Sequence, residues 1–378
     1  MFELLQQLLR DQPREEVLVQ IAISQQHSDC ELWGALSAML KSAHQENPRV
    51  IGQVLQLPEL ASAAALLEAL ERNGQEREDG EIRYHAGERQ IASVRSVDSA
   101  QPEPSTAMAS APWRAGGVYL ITGGAGGLGL IFAAQIVAQA HDSRIVLTGR
   151  SALGESQRRA LAQLQSNGAR LDYRQIDVAD AASVRACIDW VEAEHGTLSG
   201  VIHSAGVIRD SFLIKKTLAE VRSVLAPKVR GVINLDAATA HLPLDFFVTF
   251  SSIAGVFGNV GQADYATANA FMDAYAMQRR ALVAAGQRRG RSLSINWPLW
   301  ESGGMSVDAA TRAMMFEAAG WVPMPTSLGV AALRHALQLE QPQVVVLAHD
   351  RNWRRASAAQ PAPAAPADEV AASVEPQL

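Results

Sequence analysis

The chain has 378 residues, a length that corresponds to roughly two and a half domains. Apolar residues make up 48% of it and charged residues 19%, which is ample for buried cores and too little charge for a disordered chain. With 33 basic against 39 acidic residues the net charge is -6, so no basic field exists to hold a polyanion and nucleic acid is excluded as the default partner.

The opening residues include Arg10, Asp11, Arg14 and Glu15 where an export signal needs an apolar core. Residues 16–24 (EVLVQIAIS) predict a buried strand. A helical stretch follows from about Cys30 to Gln45, then a strand over 50–56, an Ala-rich helix over 60–73 and a short sheet ending over 81–95. This order is an α/β module, and its first strand runs into AISQQ with no glycine turn. Residues 96–112, rich in Ser, Pro and Ala, read as a linker, so 1–112 form one unit with its linker. Cys30 and Cys187 can build neither a disulfide framework nor a metal cluster; no metal and a reducing, cytoplasmic setting are expected.

A second, larger unit is predicted over 113–355. Strands are expected at 117–122, 144–148, 170–176, 200–203, 244–251, 291–296 and 343–348, with helices between most of them. That alternation implies a doubly wound parallel sheet. Residues 356–378, mostly Ala and Pro, read as a flexible tail. The uncharged window from Ala115 to Ala140 is long enough to span a bilayer, but its glycines cluster between Gly123 and Gly129, which suits a turn; no membrane partner is expected.

Val118 to Gly129 reads VYLITGGAGGLG, an apolar strand entering Gly123, Gly126 and Gly129 and then a helix from about Leu128. Glycines at these places let a backbone approach a pyrophosphate seated on a helix N-terminus. The next strand ends at Arg150 and Ser151 instead of an acid, which favours the 2′-phosphate of NADPH over NADH; a solvated loop arginine is the plainer reading. Asp177 suits the adenine amine, or equally an N-cap for the helix near Asp180.

Ser252 precedes Tyr265 by thirteen positions, and Asn269 shares a helix face with Tyr265 at i+4. A tyrosine protonates a developing alkoxide only when a nearby cation acidifies it, and the four lysines Lys41, Lys215, Lys216 and Lys228 bound the choice. Singly, these residues could be a strand-end cap, a core aromatic, a helix polar group and a surface lysine.

TGGAGGLG at 122–129, HSAG at 203–206 and the Ser252, Tyr265, Asn269 set resemble the short-chain dehydrogenase/reductase superfamily and, more narrowly, the ketoreductase domains of modular polyketide synthases, trans-acyltransferase systems among the possible sources. Asn269 stands where the superfamily usually has lysine, an exchange characteristic of those ketoreductases, and Lys228 matches their lysine. The resemblance implies that Tyr265 donates the proton, Ser252 hydrogen-bonds the carbonyl, Lys228 acidifies the tyrosine and contacts the cofactor ribose, and Asn269 orders the relay. It implies cofactor contacts from Thr122, Gly123, Gly126, Gly127, Leu128 and Gly129, from Arg150, Ser151, Asp177 and Val178, and from Ser204, Ala205, Gly206 and Pro298. Residues 16–95 resemble the family's truncated Rossmann-like structural subdomain, which binds no cofactor, and 307–319 with 326–339 its lid helices.

For stereocontrol, Asp210 occupies the last place of the family's Leu-Asp-Asp motif, here Ile208-Arg209-Asp210, and Phe257 stands where the opposite class has tryptophan; with Met305 before the lid, these imply a B-type enzyme and a D-hydroxyl product. Thr267 implies no epimerisation. The implied partners are an acyl carrier protein bearing a β-ketoacyl chain on phosphopantetheine and neighbouring synthase domains; because both carrier and chain are acidic, docking needs a local basic patch, for which Arg279, Arg280, Arg288, Arg289 and Arg291 are candidates, a solvated helix end and loop being the equal alternative. Met1 is expected to begin an excised piece of a larger synthase. Two alternatives remain: a free-standing reductase of a diffusible ketone, and a catalytically silent scaffold domain.

Overall fold

Phe2, Leu5 and Leu9 recur at helical spacing and are buried on one face of α1 (Phe2–Arg10), a helix not among the expected elements. The computed structural model describes residues 1–27, 29–58, 62–97, 112–305 and 307–350. The tail and nearly all of the expected linker lie outside the described residues.

After α1 come β1 (Val17–Ser24), α2 (Cys30–Trp33), α3 (Leu36–Glu46), β2 (Val50–Leu57), α4 (Ala63–Gly74), β3 (Glu81–His85) and β4 (Glu88–Ile91). The helix expected over 30–45 is broken at Gly34, where α2 closes before α3 begins. β1, β2 and β3 pair in parallel and β4 turns back antiparallel, so the four strands lie in sequence order.

The second sheet draws on β5 (Val118–Thr122), β6 (Arg144–Gly149), β7 (Arg170–Gln175), β8 (Gly200–His203), β9 (Phe246–Ser252), β10 (Arg291–Trp297) and β11 (Gln343–Val345). All its pairings are parallel, in the order β11-β10-β9-β8-β5-β6-β7. Every residue of β5 is buried, as a central parallel strand covered on both faces requires. The helices are α5 (Gly127–Gln139), α6 (Glu155–Ser166), α7 (Ala181–His195), α8 (Leu218–Ala238), α9 (Ile253–Phe257), α10 (Ala263–Ala284), α11 (Ala309–Ala319) and α12 (Thr326–Ala336). The fold is therefore α/β with two sheets, as expected. Among the described residues no helix is long and apolar enough to cross a membrane; the uncharged window resolves into β5, its turn and α5.

The chain divides into two compact units. One takes Met1–Ser306 and Pro323–Leu347 and holds both sheets; the other takes Val307–Val322 and the chain from Ala348 on. Of the two helices the resemblance assigns to a lid, α11 thus lies in the second unit. α12 lies in the first, where it packs on α5 and β10. In the second unit the Gly320 carbonyl accepts from the Asp350 N–H at 2.9 Å, and that of Ala348 from the Val322 N–H at 3.0 Å.

Gly200 shows how tightly the central strands are closed. It sits between Tyr119 and Phe246 in register. Those two rings stack across it with centroids 5.9 Å apart, and a Cβ on Gly200 would stand 2.2 Å from Cζ of Phe246. Gly200→Ala is therefore expected to overpack this layer and cost about 1–3 kcal/mol, read as a lower urea midpoint at unchanged m-value; an unchanged midpoint would mean that the rings are free to move.

Candidate active site

Strand order reverses between β5 and β8, so the chain leaves the carboxyl ends of these neighbours in opposite directions and opens a crevice. Its floor is the register pair Thr122 and His203. Beyond Thr122 the backbone turns through Gly123 at φ +65°, where a Cβ would stand 2.9 Å from the backbone of Ser204 and Ala205. Gly126 is the N-cap of α5, whose first turn is Gly127, Leu128 and Gly129. The N–H groups of a first helical turn have no partner within the helix and carry the positive end of its dipole, which suits a diphosphate.

At the end of β6, Arg150 and Ser151 are exposed. Tyr173 Oη donates to the Ser151 carbonyl at 2.6 Å and Gln175 Nε2 to that of Arg150 at 3.1 Å, which fixes this loop through its backbone. Asp177 Oδ1 accepts from the Ala179 N–H; the N-cap of α7 is Asp180, so Asp177 does not cap that helix. Val178 is buried and its carbonyl accepts from Asn234. Pro298 directly follows β10. A glycine turn without side chains and a helix N-terminus fit the diphosphate of a nicotinamide dinucleotide in shape and charge.

His203 ties the turn to the lysine. Its Nε2 lies 3.0 Å from the Pro227 carbonyl, which can only accept, so Nε2 carries the proton and Nδ1 accepts from the Thr122 hydroxyl at 2.7 Å. Complete burial, helped by the charge of Lys228, lowers its pKa to about 3. Pro227 lies inside α8, one residue before Lys228. Sequence reading quoted this histidine only within HSAG and assigned it no role.

Lys228 is 4% exposed, with Nζ donating to the Phe250 carbonyl at 3.0 Å and lying 5.7 Å from the Tyr265 ring centroid. Burial takes its pKa down to about 7, and the carboxylate of Asp273 opposes that fall. Gly206 makes room for the lysine: a Cβ there would stand 2.9 Å from Lys228 Cε.

Tyr265, in the first turn of α10, is buried, and burial pushes its phenol up while the neighbouring Ser252 and Asn269 side chains pull it down. Ser252 ends β9 and caps α9, its Oγ accepting from the Ala254 N–H at 3.3 Å, so the cap and the tyrosine contact are one arrangement. Asn269 Nδ2 donates to the Tyr265 carbonyl at 2.7 Å, and its Oδ1 finds no donor among the described residues. Lys228 from α8, Ser252 from β9, and Tyr265 with Asn269 from α10 thus meet at one place.

Asp273 is a residue that the sequence did not single out. It lies four residues beyond Asn269, on the stripe that carries Tyr265. Ser294 Oγ donates to it at 2.6 Å and Asn296 Nδ2 at 2.7 Å, while burial raises its pKa to about 6. Asn296 also donates to Ser251 Oγ and the Ser252 carbonyl, so this network holds the end of β9.

Of the residues named for stereocontrol, Asp210 is exposed and accepts from Gln262 Nε2 at 2.9 Å, and its charge also raises the Tyr265 pKa. Phe257 is half-buried at the end of α9, and Met305 is exposed. Thr267 Oγ1 donates to the Ala263 carbonyl. The basic docking patch is corrected by the structure. Arg279 is 1% exposed and paired with Asp236, Arg288 pairs with the same carboxylate, and Arg291 Nη2 donates to the Ala336 and Gln341 carbonyls. Of the five, Arg280 and Arg289 are the exposed ones.

The family model described as the KR domain matches residues 117–302. A crystal structure of a ketoreductase domain from the bacillaene assembly line superposes with TM-score 0.87 at 40% identity, covering 94% of this chain and 83% of that one. The chain belongs to the polyketide synthase ketoreductase-domain family. Polyketide synthase PksN of Bacillus subtilis (strain 168) is 46% identical over 345 residues, 91% of this chain and 6% of that synthase. ThaG, a polyketide synthase of Burkholderia thailandensis (strain ATCC 700388 / DSM 13276 / CCUG 48851 / CIP 106301 / E264), is 41% identical over 372 residues, 95% of this chain and 6% of ThaG. The ketoreductase chain therefore spans a small fraction of the curated synthases it matches.

Because His203 is held neutral when folded but takes up a proton below about pH 6.5 when unfolded, it weakens the fold as pH falls from 6.5 towards about 3. His203→Gln, which still offers a donor to Pro227 and an acceptor to Thr122, should flatten that acid slope by about one proton in urea unfolding measured across pH 4–7. An unchanged slope would place the proton uptake elsewhere.

Proposed function

We propose that the chain reduces a β-ketoacyl thioester, carried on the phosphopantetheine arm of an acyl carrier protein, to the D-β-hydroxyacyl thioester with NADPH as reductant. The observation that carries the reading is the meeting of Ser252, Tyr265, Lys228 and Asn269 beside the glycine turn. A silent scaffold has no use for a buried lysine against a buried tyrosine, since both cost desolvation. Kinship with synthase ketoreductases favours a carrier-bound substrate over a diffusible ketone and a cytoplasmic synthase, with its neighbouring domains, as the setting.

A nicotinamide held at the glycine turn would supply the hydride that ends on the carbonyl carbon. Ser252 and Tyr265 hydroxyls hydrogen-bond the carbonyl oxygen, which orients the carbon and stabilises the charge that grows on oxygen as the π pair of the C=O bond moves onto it. The Tyr265 Oη proton moves to that oxygen and completes the alcohol. Protonated Lys228 lowers the cost of the resulting phenolate, and Asn269 orders the path by which the phenol is reprotonated. The glycine turn with Ser204, Ala205 and Pro298 cradles the dinucleotide, and Arg150 with Ser151 takes its 2′-phosphate. The charge of Asp210 is felt at Tyr265, and Asp210 with Phe257 follows the family pattern for delivery to the face that yields the D-hydroxyl.

Wild type should oxidise NADPH in the presence of a β-ketoacyl thioester, and Tyr265→Phe should lower kcat about 10²–10⁴-fold while still binding NADPH. No turnover by wild type, or full rate in the variant, contradicts the enzymatic reading. Arg150→Ala should raise the KM for NADPH about tenfold and leave that for NADH unchanged, as expected for loss of a charge-assisted phosphate contact; an equal effect on both would remove the 2′-phosphate assignment. Chiral chromatography should find mainly the D-hydroxy product, and a mainly L product would refute the B-type assignment.

A further inference from the structure

α3 belongs to the module without a cofactor turn, yet one of its faces reaches the chain around the tyrosine. Lys41 Nζ donates to the Val256 carbonyl at 2.7 Å, Gln45 Nε2 to that of Phe257 at 2.8 Å, and Ser42 Oγ accepts from the Asn259 N–H at 3.1 Å. Gly258, at φ +74°, passes so close that a Cβ on it would stand 2.9 Å from the Ser42 nitrogen. The segment from Val256 to Asn259, between Ser252 and Tyr265, is therefore laid against α3.

Glu46, the last residue of α3, spans two segments. Its Oε1 accepts from the Gly261 N–H at 3.1 Å and its Oε2 from the Leu213 N–H at 2.7 Å. Gly261 lies four residues before Tyr265, and Leu213 lies three residues after Asp210. The two segments also bond each other, from the Ser211 N–H to the Gly261 carbonyl at 2.9 Å and from Gln262 to Asp210. Gln6 on α1 supports the Leu213 side, donating to the Leu213 and Lys216 carbonyls at 3.0 and 2.8 Å. Beneath them, Lys216 is ion-paired to Asp264 at 2.9 Å with both side chains at most 1% exposed, and Asp264 accepts from the Tyr265 N–H. Two backbone donors converging on one side chain need two acceptors. A carboxylate supplies both, whereas a glutamine turns one of them into a donor.

We propose that Glu46 is a positioning residue of the reaction: by holding the Asp210 segment and the segment leading into Tyr265 at a fixed separation, it sets the face of the carbonyl presented for reduction. This gives the cofactor-free module a part in stereochemical choice. The stereochemical half rests on the ketoreductase reading above; the holding of the two segments does not.

Glu46→Gln in the full chain tests both. Hydrogen exchange at 207–216 and 256–262 should quicken about tenfold or more, the scale of a lost charged hydrogen bond, while the glycine turn at 122–130 is unchanged. The D-to-L product ratio should fall by a similar factor, with the dissociation constant for NADPH within about twofold of wild type. Unchanged exchange in either segment overturns the proposal. So does an unchanged product ratio, or an activity loss that only follows NADPH affinity, because a purely structural residue would do that. If wild type does not turn over, the ketoreductase reading fails and the exchange data still decide whether Glu46 holds both segments. Gln6→Ala, which loosens the Leu213 side alone, should quicken exchange at 207–216 and not at 256–262, and it serves if Glu46→Gln does not fold.

Discussion

Keeping an ammonium group inside the protein is the constraint on which the crevice depends. Lys228 is almost wholly buried, and an unpartnered charge there would simply shed its proton. The surroundings are arranged against that outcome without neutralising the lysine outright. The Phe250 carbonyl accepts from Nζ, the Tyr265 ring presents its π-system, and Asp273 adds a negative charge from behind. His203, whose protonation would put a second cation beside the first, is locked neutral between a carbonyl and a hydroxyl. The result is a pKa brought to about 7, not abolished. A lysine in that range stays available as a cation and can respond to a bound anion such as a dinucleotide.

The same elements do double duty in packing and chemistry. Ser252 is both a helix cap and a partner of the tyrosine. Gly206 is at once the last residue of HSAG and the gap through which the lysine stem passes. The smaller sheet, which has no glycine turn, contributes α3, against which the chain before Tyr265 is laid. A module without a glycine turn can in this way shape the site of its neighbour.

Much of the fold was legible because strands and turns announce themselves locally. VYLITGGAGGLG read as strand, turn and helix, and the alternation after it read as a parallel sheet; both are present. α1 was legible in the helical spacing of Phe2, Leu5 and Leu9 but was passed over, and Gly34 divides a helix whose hydrophobic pattern runs on through it. At the candidate site, Ser252 and Asn269 were legible through their spacing from Tyr265, and the family resemblance picked Lys228 from four lysines. What was not legible is long-range: Asp273 matters through Ser294 and Asn296, His203 through Pro227, and Glu46 through Gly261 and Leu213, pairings that no local pattern encodes. The basic cluster from Arg279 to Arg291 misled for the converse reason, since a run of arginines looks solvated until Asp236 is found beneath it.

The buried cation can be measured directly. The chain has four lysines, Lys41, Lys215, Lys216 and Lys228, so a spectrum of protein labelled with ¹³C at lysine Cε contains few signals, and Lys228→Met assigns the one that matters. Followed across pH in the free protein, the Lys228 signal should titrate near pH 7, well below the ordinary lysine value of 10.5. Titration near that ordinary value would contradict the account, because it would mean that the ammonium is solvated and not enclosed beside Tyr265.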